Sequence, residues 1–188
     1  LTFDLYGIFI GQVLGADGLA AINLAWPIMF LVTGIGLMIG VGGGALISIA
    51  SGQKRPEKAH NLFSHALLLM LVLAALISLS LYYLQAAPIR WQGASGHIQV
   101  MAEHYLTIMG HGSLLVIVSC ALPILVRNDN APNVATGLMV VGALANIALD
   151  YLFIVQWNWD LKGAAYATLI AQAFVFILAL AYFGSASS

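Results

Sequence analysis

The run GLMVVGALANIALDYLF, residues 137–153, is apolar along almost its whole length, yet it carries Asn146 and, four residues later, Asp150. Residues four apart lie one turn apart on the same face of an α-helix, so these two polar side chains would share a face. A carboxylate is costly to place inside a membrane helix, and such residues usually serve a function. We therefore interpret Asp150 as the first candidate functional residue.

The composition around this run is typical of a polytopic membrane protein. Of the 188 residues, 62% are hydrophobic and 7% are charged, and the mean hydropathy is +0.98, whereas about 25% of the residues in a soluble domain are charged. Six Lys and Arg against seven Asp and Glu give no basic field, which excludes nucleic acid as a partner. Cys120 is the only cysteine, which excludes an intramolecular disulfide and a thiolate metal cluster.

Polar residues divide the chain into long apolar segments, and a membrane-spanning helix needs about 20 apolar residues. The sequence therefore predicts an all-α transmembrane bundle, because a membrane β-barrel would show short alternating segments instead. The breaks fall near residues 15–18, 51–60, 88–99, 127–133 and 158–162. The predicted helices, of which the first is incomplete, are residues 1–14, 19–50, 61–87, 99–126, 134–157 and 163–184, and residues 185–188 form a linker or tail.

Two features refine this bundle. The loops at 51–60 and 127–133 carry four of the six basic residues, which indicates that these two loops face the cytoplasm. The glycine-rich run GIGLMIGVGGG, residues 34–44, does not follow a strand and lacks the spacing of a dinucleotide-binding loop. Its glycines instead favour close packing between helices.

Five polar side chains are predicted to lie at similar depths. At about 1.5 Å per helical residue, Asp150, Thr168 and Tyr105 lie roughly 10 Å below the outer surface, and Asp4 and Asn146 roughly 16 Å below it. Four helices thus bring polar groups to one slab of the membrane, which favours a shared interior cavity. The alternative is that local hydrogen bonds between helices satisfy each group separately.

The two carboxylates, Asp4 and Asp150, indicate that this slab exchanges a cation. Two neighbouring acids taken out of water favour the gain of a proton, which removes one buried charge. Alternatively, the oxygens of Asp4, Asn146, Asp150 and Thr168 could hold Na⁺, because hard cations prefer oxygen ligands. Both alternatives stay open at this point.

Other chemistries find little support in the sequence. The histidine pairs His60 with His65 and His104 with His111 have spacings that suit one helical face poorly, and no further ligands complete a tetrahedral site. No metal is therefore expected beyond Na⁺ at the slab. A G-x-S-x-G nucleophile elbow is also lacking, so the sequence indicates a protein that is not an enzyme.

Several stretches resemble a known family in their order and spacing. The chain is similar to the amino-terminal lobe of multidrug and toxic compound extrusion (MATE) transporters, particularly their DinF-like branch. The stretches that carry the resemblance are GADGLAAINLAWPI at 15–28, GVGGGALISIASGQKRPEKAHN at 40–61, VRNDNAPNVA at 126–135, NIALDYLFI at 146–154 and WDLKGAAYATLIAQ at 159–172.

The resemblance implies a twelve-helix antiporter of two six-helix lobes. Such a protein exports amphipathic, often cationic compounds in exchange for H⁺ or Na⁺, uses no cofactor besides that ion, and lies in a bacterial inner membrane. Residues 1–184 would form the amino-terminal lobe. Because the chain starts at Leu1 inside an apolar segment, we expect a fragment whose carboxy-terminal lobe comes from the same full-length chain; a second chain is the alternative.

The resemblance also implies roles for the same five residues. It assigns cation coupling to Asp4 and Asp150, and a supporting polar network to Asn146, Thr168 and Tyr105. Two rival functions stay open. A lipid-linked oligosaccharide flippase of the same superfamily should carry several basic residues inside the membrane, whereas all six here lie at loops or helix ends. In a non-transporting membrane subunit, the polar residues would only join helices.

Overall fold

The computed structural model describes the backbone of residues 2–128 and 131–186, and the side chains of residues 11, 13–128 and 131–184. Within these ranges the chain is helical and forms no strand, which confirms the predicted all-α fold. The helices are α1 (Thr2–Gly52), α2 (Pro56–Leu84), α3 (Ala86–Trp91), α4 (Gly96–His111), α5 (Ser113–Asn128), α6 (Pro132–Asp150), a π-helical segment (Tyr151–Gln156) and α7 (Asp160–Ala186).

The described helices are those of an integral, multi-pass membrane protein. Four of them are long and apolar enough to cross a bilayer, and the bent pair of α4 and α5 passes the same test if it forms one span. The four single spans are Val13–Gly52, Pro56–Leu84, Pro132–Gln156 and Asp160–Gly184. The assignment of residues 1–184 to one lobe, with a tail after it, stays a prediction.

The helices differ from the predicted ones in several places. Helix α1 runs through the predicted break, with a kink at Gly15, where φ is 65° and ψ is −155°. Glycine reaches positive φ without the steric cost that a Cβ atom adds. The short helix α3 occupies part of the predicted loop at 88–99, and the π-helical segment interrupts the predicted helix at 134–157.

The prediction of one continuous helix over 99–126 is wrong. Helices α4 and α5 meet at Gly112 with a bend of 61°. Pro123 lies well inside α5 and therefore does not cause this bend. At Gly112, a Cβ atom would collide with the side chain of Leu169 on α7. The bend thus forms where α7 packs against the backbone, and a glycine leaves the room for that contact.

Helix α5 lies at the centre of the bundle. It packs against α1, α2, α4, α6 and α7, and its fully buried residues include Val116, Ile117, Ala121 and Val126. Such an all-round apolar surface is expected of a helix surrounded by other helices. The core around α5 supports one side of a cavity, which Val116 and Cys120 of this helix line.

The contact between α1 and α5 is especially close. Gly36 and Gly40 lie one turn apart on α1 and face the backbone of Ile117 and Ala121 on α5. Small residues at this spacing let two membrane helices approach closely, as the glycine-rich run predicts. The approach brings the face of α1 that carries Thr33 and Leu37 to the wall of the cavity.

Candidate functional site

A cavity of about 480 Å³ lies between α1, α4, α5, α6 and α7. Most of its wall is apolar, and the amide and hydroxyl groups contributed by α6 and α7 make one side polar. No Lys, Arg, Asp or Glu belongs to the described residues that line it. The lining residues are Trp26, Met29, Phe30, Thr33, Leu37, Tyr105, Met109, Val116, Cys120, Asn146, Thr168 and Gln172.

The polar side of the cavity is built on a hydrogen bond between two helices. Nδ2 of Asn146 on α6 donates to Oγ1 of Thr168 on α7, at 3.4 Å. The Thr168 hydroxyl in turn donates to the carbonyl of Ala164 one turn earlier, at 2.9 Å. A hydroxyl can donate once and still accept, so both bonds form together. The pair fixes the orientation of the Asn146 amide at the cavity wall.

Tyr105 reaches the same cavity from α4. Its side chain is buried, so its ring belongs to the core and also to the cavity wall. The structure therefore brings three of the five predicted site residues, Tyr105, Asn146 and Thr168, to one cavity.

Asp150 lies apart from the residues that line this cavity. It is the last residue of α6, one turn after Asn146, and only 2% of its surface is exposed. Its Oδ1 atom is buried and receives no hydrogen bond from any residue that the structure describes. A buried carboxylate oxygen without a donor is unfavourable. A proton or a small cation at this position would neutralise the charge.

The segment after Asp150 fixes the end of α6. Tyr151–Gln156 forms a π-helix. This conformation is rare in proteins, and where it occurs it often lies at a functional site. Phe153 stacks on Trp157, with ring centroids 5.0 Å apart, and also contacts Trp159 at 5.2 Å. Tryptophan side chains favour the membrane–water interface. An aromatic cluster of this kind is expected near the membrane surface, and it follows the end of α6 that carries Asp150.

The side chain of Asp4 lies outside the described residues. Its predicted proximity to Asp150 stays a prediction, and so does Na⁺ binding by Asp4, Asn146, Asp150 and Thr168. Among the described side chains, no group of three His, Cys, Asp or Glu is arranged to hold a metal ion.

Gln172 is a cavity residue that sequence reasoning missed. It lies on α7 one turn after Thr168 and lines the cavity. Its Oε1 atom is buried and, like Oδ1 of Asp150, receives no hydrogen bond within the described part of the chain. The available signal was its spacing of four residues from Thr168 in an otherwise apolar helix.

Comparisons with known proteins agree on one family. The chain is 28% identical over 183 residues to the multidrug export protein MepA of Staphylococcus saprophyticus. The match includes 95% of this chain and 41% of that relative, so the chain spans about two fifths of its length.

Two solved structures share the fold. A MATE protein in complex with MaD3S superposes with a TM-score of 0.92 at 26% identity, over 97% of this chain and 41% of that one. A MOP superfamily transporter from Pyrococcus furiosus gives a TM-score of 0.91 at 26% identity, over 97% and 40%. The latter was described as having a binding pocket of reversed polarity that suggests a different function.

The family assignment rests on a further match. The family model described as MatE matches residues 3–152. These comparisons do not identify the branch within the family, so the DinF-like assignment stays a prediction. Because the family model matches most of the chain, and structures of the same fold match over almost all of it, the chain belongs to the MatE family of transporters.

Proposed function

We propose that this chain forms one lobe of a secondary active multidrug efflux antiporter in a bacterial inner membrane. The antiporter exports amphipathic, often cationic compounds in exchange for H⁺ or Na⁺. The second lobe is supplied by the remainder of the same protein or by a second chain. The multidrug export relative, of which this chain covers 41%, supports both the activity and the missing lobe.

The cavity supports an amphipathic cargo. Its volume of about 480 Å³ falls within the roughly 300–1,000 Å³ of sites for drug-sized ligands. Its apolar wall suits a hydrophobic body, and the aromatic residues Trp26, Phe30 and Tyr105 suit a cationic group, because ring faces attract cations. A pyrophosphate cargo would need basic groups, whereas no Lys or Arg is found among the described lining residues.

The position of Asp150 is the observation that supports coupling between the ion and the cargo. This buried carboxylate, with one oxygen unpaired among the described residues, lies one turn from Asn146, whose amide is bonded to Thr168 at the cavity. Neutralising Asp150 with H⁺ or Na⁺ changes the hydrogen bonds that the end of α6 can make. A change of that kind favours one helix packing over another, and differential affinity of ion and cargo for the two packings couples their transport.

The substitution Asp150→Asn in the full-length protein tests this proposal. Asn matches Asp in size and mimics its neutral form, so the variant should insert and fold. In liposomes with an imposed pH or Na⁺ gradient, we expect wild-type protein to move a fluorescent cationic dye against its concentration gradient. The variant should move the dye only at the rate of passive leak.

Asp160→Asn is the matched control, because it makes the same change at an exposed carboxylate. It should transport at the wild-type rate. Wild-type transport by Asp150→Asn would contradict the coupling role of Asp150. A failure of folded wild-type protein to move the dye under either gradient would contradict the antiporter function and favour a non-transporting subunit.

A further inference from the structure

We infer that Gln172 is a specificity-determining residue, whose amide selects cargo that can donate a hydrogen bond. This inference rests on the proposed function, because it takes the cavity to be the place where cargo binds. It adds a discrimination between cations that carry N–H groups and cations with the same ring system and charge that carry none.

The position of Gln172 is the first support. The residue lines the cavity of about 480 Å³, called the central cavity here, and also a second cavity of about 210 Å³ between α5, α6 and α7. Its side chain therefore stands in the wall that the two cavities share. On the central side it follows Thr168 by one turn and so extends the polar edge formed with Asn146. A ligand lying along that edge would meet its amide.

The unpaired oxygen of Gln172 is the second support. Oε1 is buried, and no described residue donates a hydrogen bond to it. The second cavity offers one hydroxyl, that of Ser119, but this group donates to the carbonyl of Val116 at 3.1 Å. The other described residues that line the second cavity carry no side-chain donor. Among the described residues this acceptor therefore has no partner, and a donor on the cargo would supply one once the terminal amide turns its oxygen towards the cavity.

This arrangement discriminates between ligands by a simple rule. A site that hydrogen-bonds a donor rejects an analogue that lacks it, because its own polar group is then left buried and unpaired. The terminal amide can also rotate to exchange its oxygen and nitrogen positions, so that the acceptor faces the ligand. One hydrogen bond of ordinary strength corresponds to a preference of about tenfold.

A matched pair of ligands tests the inference directly. Naphthylmethylammonium and its trimethylammonium analogue share one ring system and one positive charge, and only the first has N–H donors. The quantity to measure is the affinity for the first ligand divided by the affinity for the second. We expect this ratio to be about tenfold higher for the purified full-length wild-type protein than for the Gln172→Met variant. Met has a side chain of similar length without the amide, so binding of the trimethylammonium analogue should persist.

Two further variants complete the experiment. Ser119→Ala removes a polar group from the far side of the second cavity and should keep the wild-type preference. Gln172→Leu repeats the loss of the amide with another side chain and should behave like Gln172→Met. The inference would be overturned if wild type and both Gln172 variants showed the same ratio of affinities for the two ligands. It would also be overturned if both variants lost affinity for the two ligands to the same extent. If wild-type protein bound neither ligand, the proposed function would fail together with the inference.

Discussion

The close approach of α1 and α5 predicts that Gly40→Ala destabilises the protein. A Cβ atom at Gly40 would lie 2.9 Å from Cα of Ala121 and 3.2 Å from its carbonyl oxygen. Both atoms belong to the backbone of α5, which is held by five other helices. The new methyl group therefore cannot be accommodated by rotating a side chain. Overpacking of this kind typically costs about 1–3 kcal/mol.

The intrinsic preference for Ala over Gly in a helix works in the opposite direction. This preference stabilises a helix with Ala by about 1 kcal/mol relative to one with Gly. The loss of stability measured for Gly40→Ala against wild type is therefore smaller than the cost of the clash itself. Gly42→Ala on the same helix is the matched control, since its Cβ atom would meet nothing within 4 Å. Both variants gain the same helix preference. Gly40→Ala should therefore be about 1–3 kcal/mol less stable than Gly42→Ala.

Thermal unfolding of the two variants in the same detergent measures this difference. For a protein of this size, each kcal/mol corresponds to about 2–4 °C in Tm. We expect Gly40→Ala to unfold at a Tm lower than that of Gly42→Ala by roughly 2–12 °C. Gly36→Ala should behave like Gly40→Ala, since its Cβ atom would lie 2.7 Å from the carbonyl oxygen of Ile117. Equal Tm values for Gly40→Ala and Gly42→Ala would refute the close helix approach.

Two smaller changes test other hydrogen bonds. Ser113 is buried, and its hydroxyl donates to the carbonyl of Ala74 at 2.9 Å, so Ser113→Ala should lower the free energy of unfolding by about 1 kcal/mol. Ser80→Ala, at an exposed position, should lower it less, and equal losses in the two variants would contradict a stabilising role for the Ser113 hydrogen bond. Thr168→Val keeps the shape of the side chain but removes the acceptor at the cavity, so gradient-driven transport should fall while Tm changes little. Thr136→Val, on the exposed face of α6, should transport normally, and normal transport by Thr168→Val would show that the hydrogen bond has no role.

Local sequence determines much of this fold. The apolar runs are long enough to span a bilayer, and the sparse polar residues mark where most helices end, so the all-α bundle follows from composition and spacing. The bend between α4 and α5 does not follow in the same way. It occurs at Gly112, in contact with Leu169, which is more than fifty residues later in the chain. A feature that depends on packing against a distant helix leaves little trace in the local pattern.

The sequence did not predict the π-helical segment either. The run from Tyr151 to Gln156 is apolar and continues the helix pattern of the residues before it. Its change in backbone winding accompanies a cluster formed by Phe153, Trp157 and Trp159. The ring contacts within this cluster depend on how the chain folds back after Gln156, and the local pattern of the sequence does not predict them.

At the candidate site, too, residue spacing predicts part of the arrangement, and the packing of the helices decides the rest. The spacing of four residues between Asn146 and Asp150 was enough to place both on one side of α6. It could not show that Asn146 lines the cavity while Asp150 does not. Gln172 lies one turn deeper than Thr168, at about the depth counted for Asn146, so the depth argument could have included it; the packing of α7 shows that it lines the cavity.

The separation of Asp150 from the cavity constrains how an ion and a cargo could be exchanged. A cargo in the cavity would touch Asn146 and Thr168, but among the described lining residues it would not touch the buried carboxylate. Direct competition for one carboxylate is therefore not needed for coupling. Asn146 is bonded at the cavity and is also one turn from Asp150 on the same helix, so a shift at the end of α6 would reach the cargo through its amide. On this view, Asp150→Asn and Thr168→Val impair the same process at two steps.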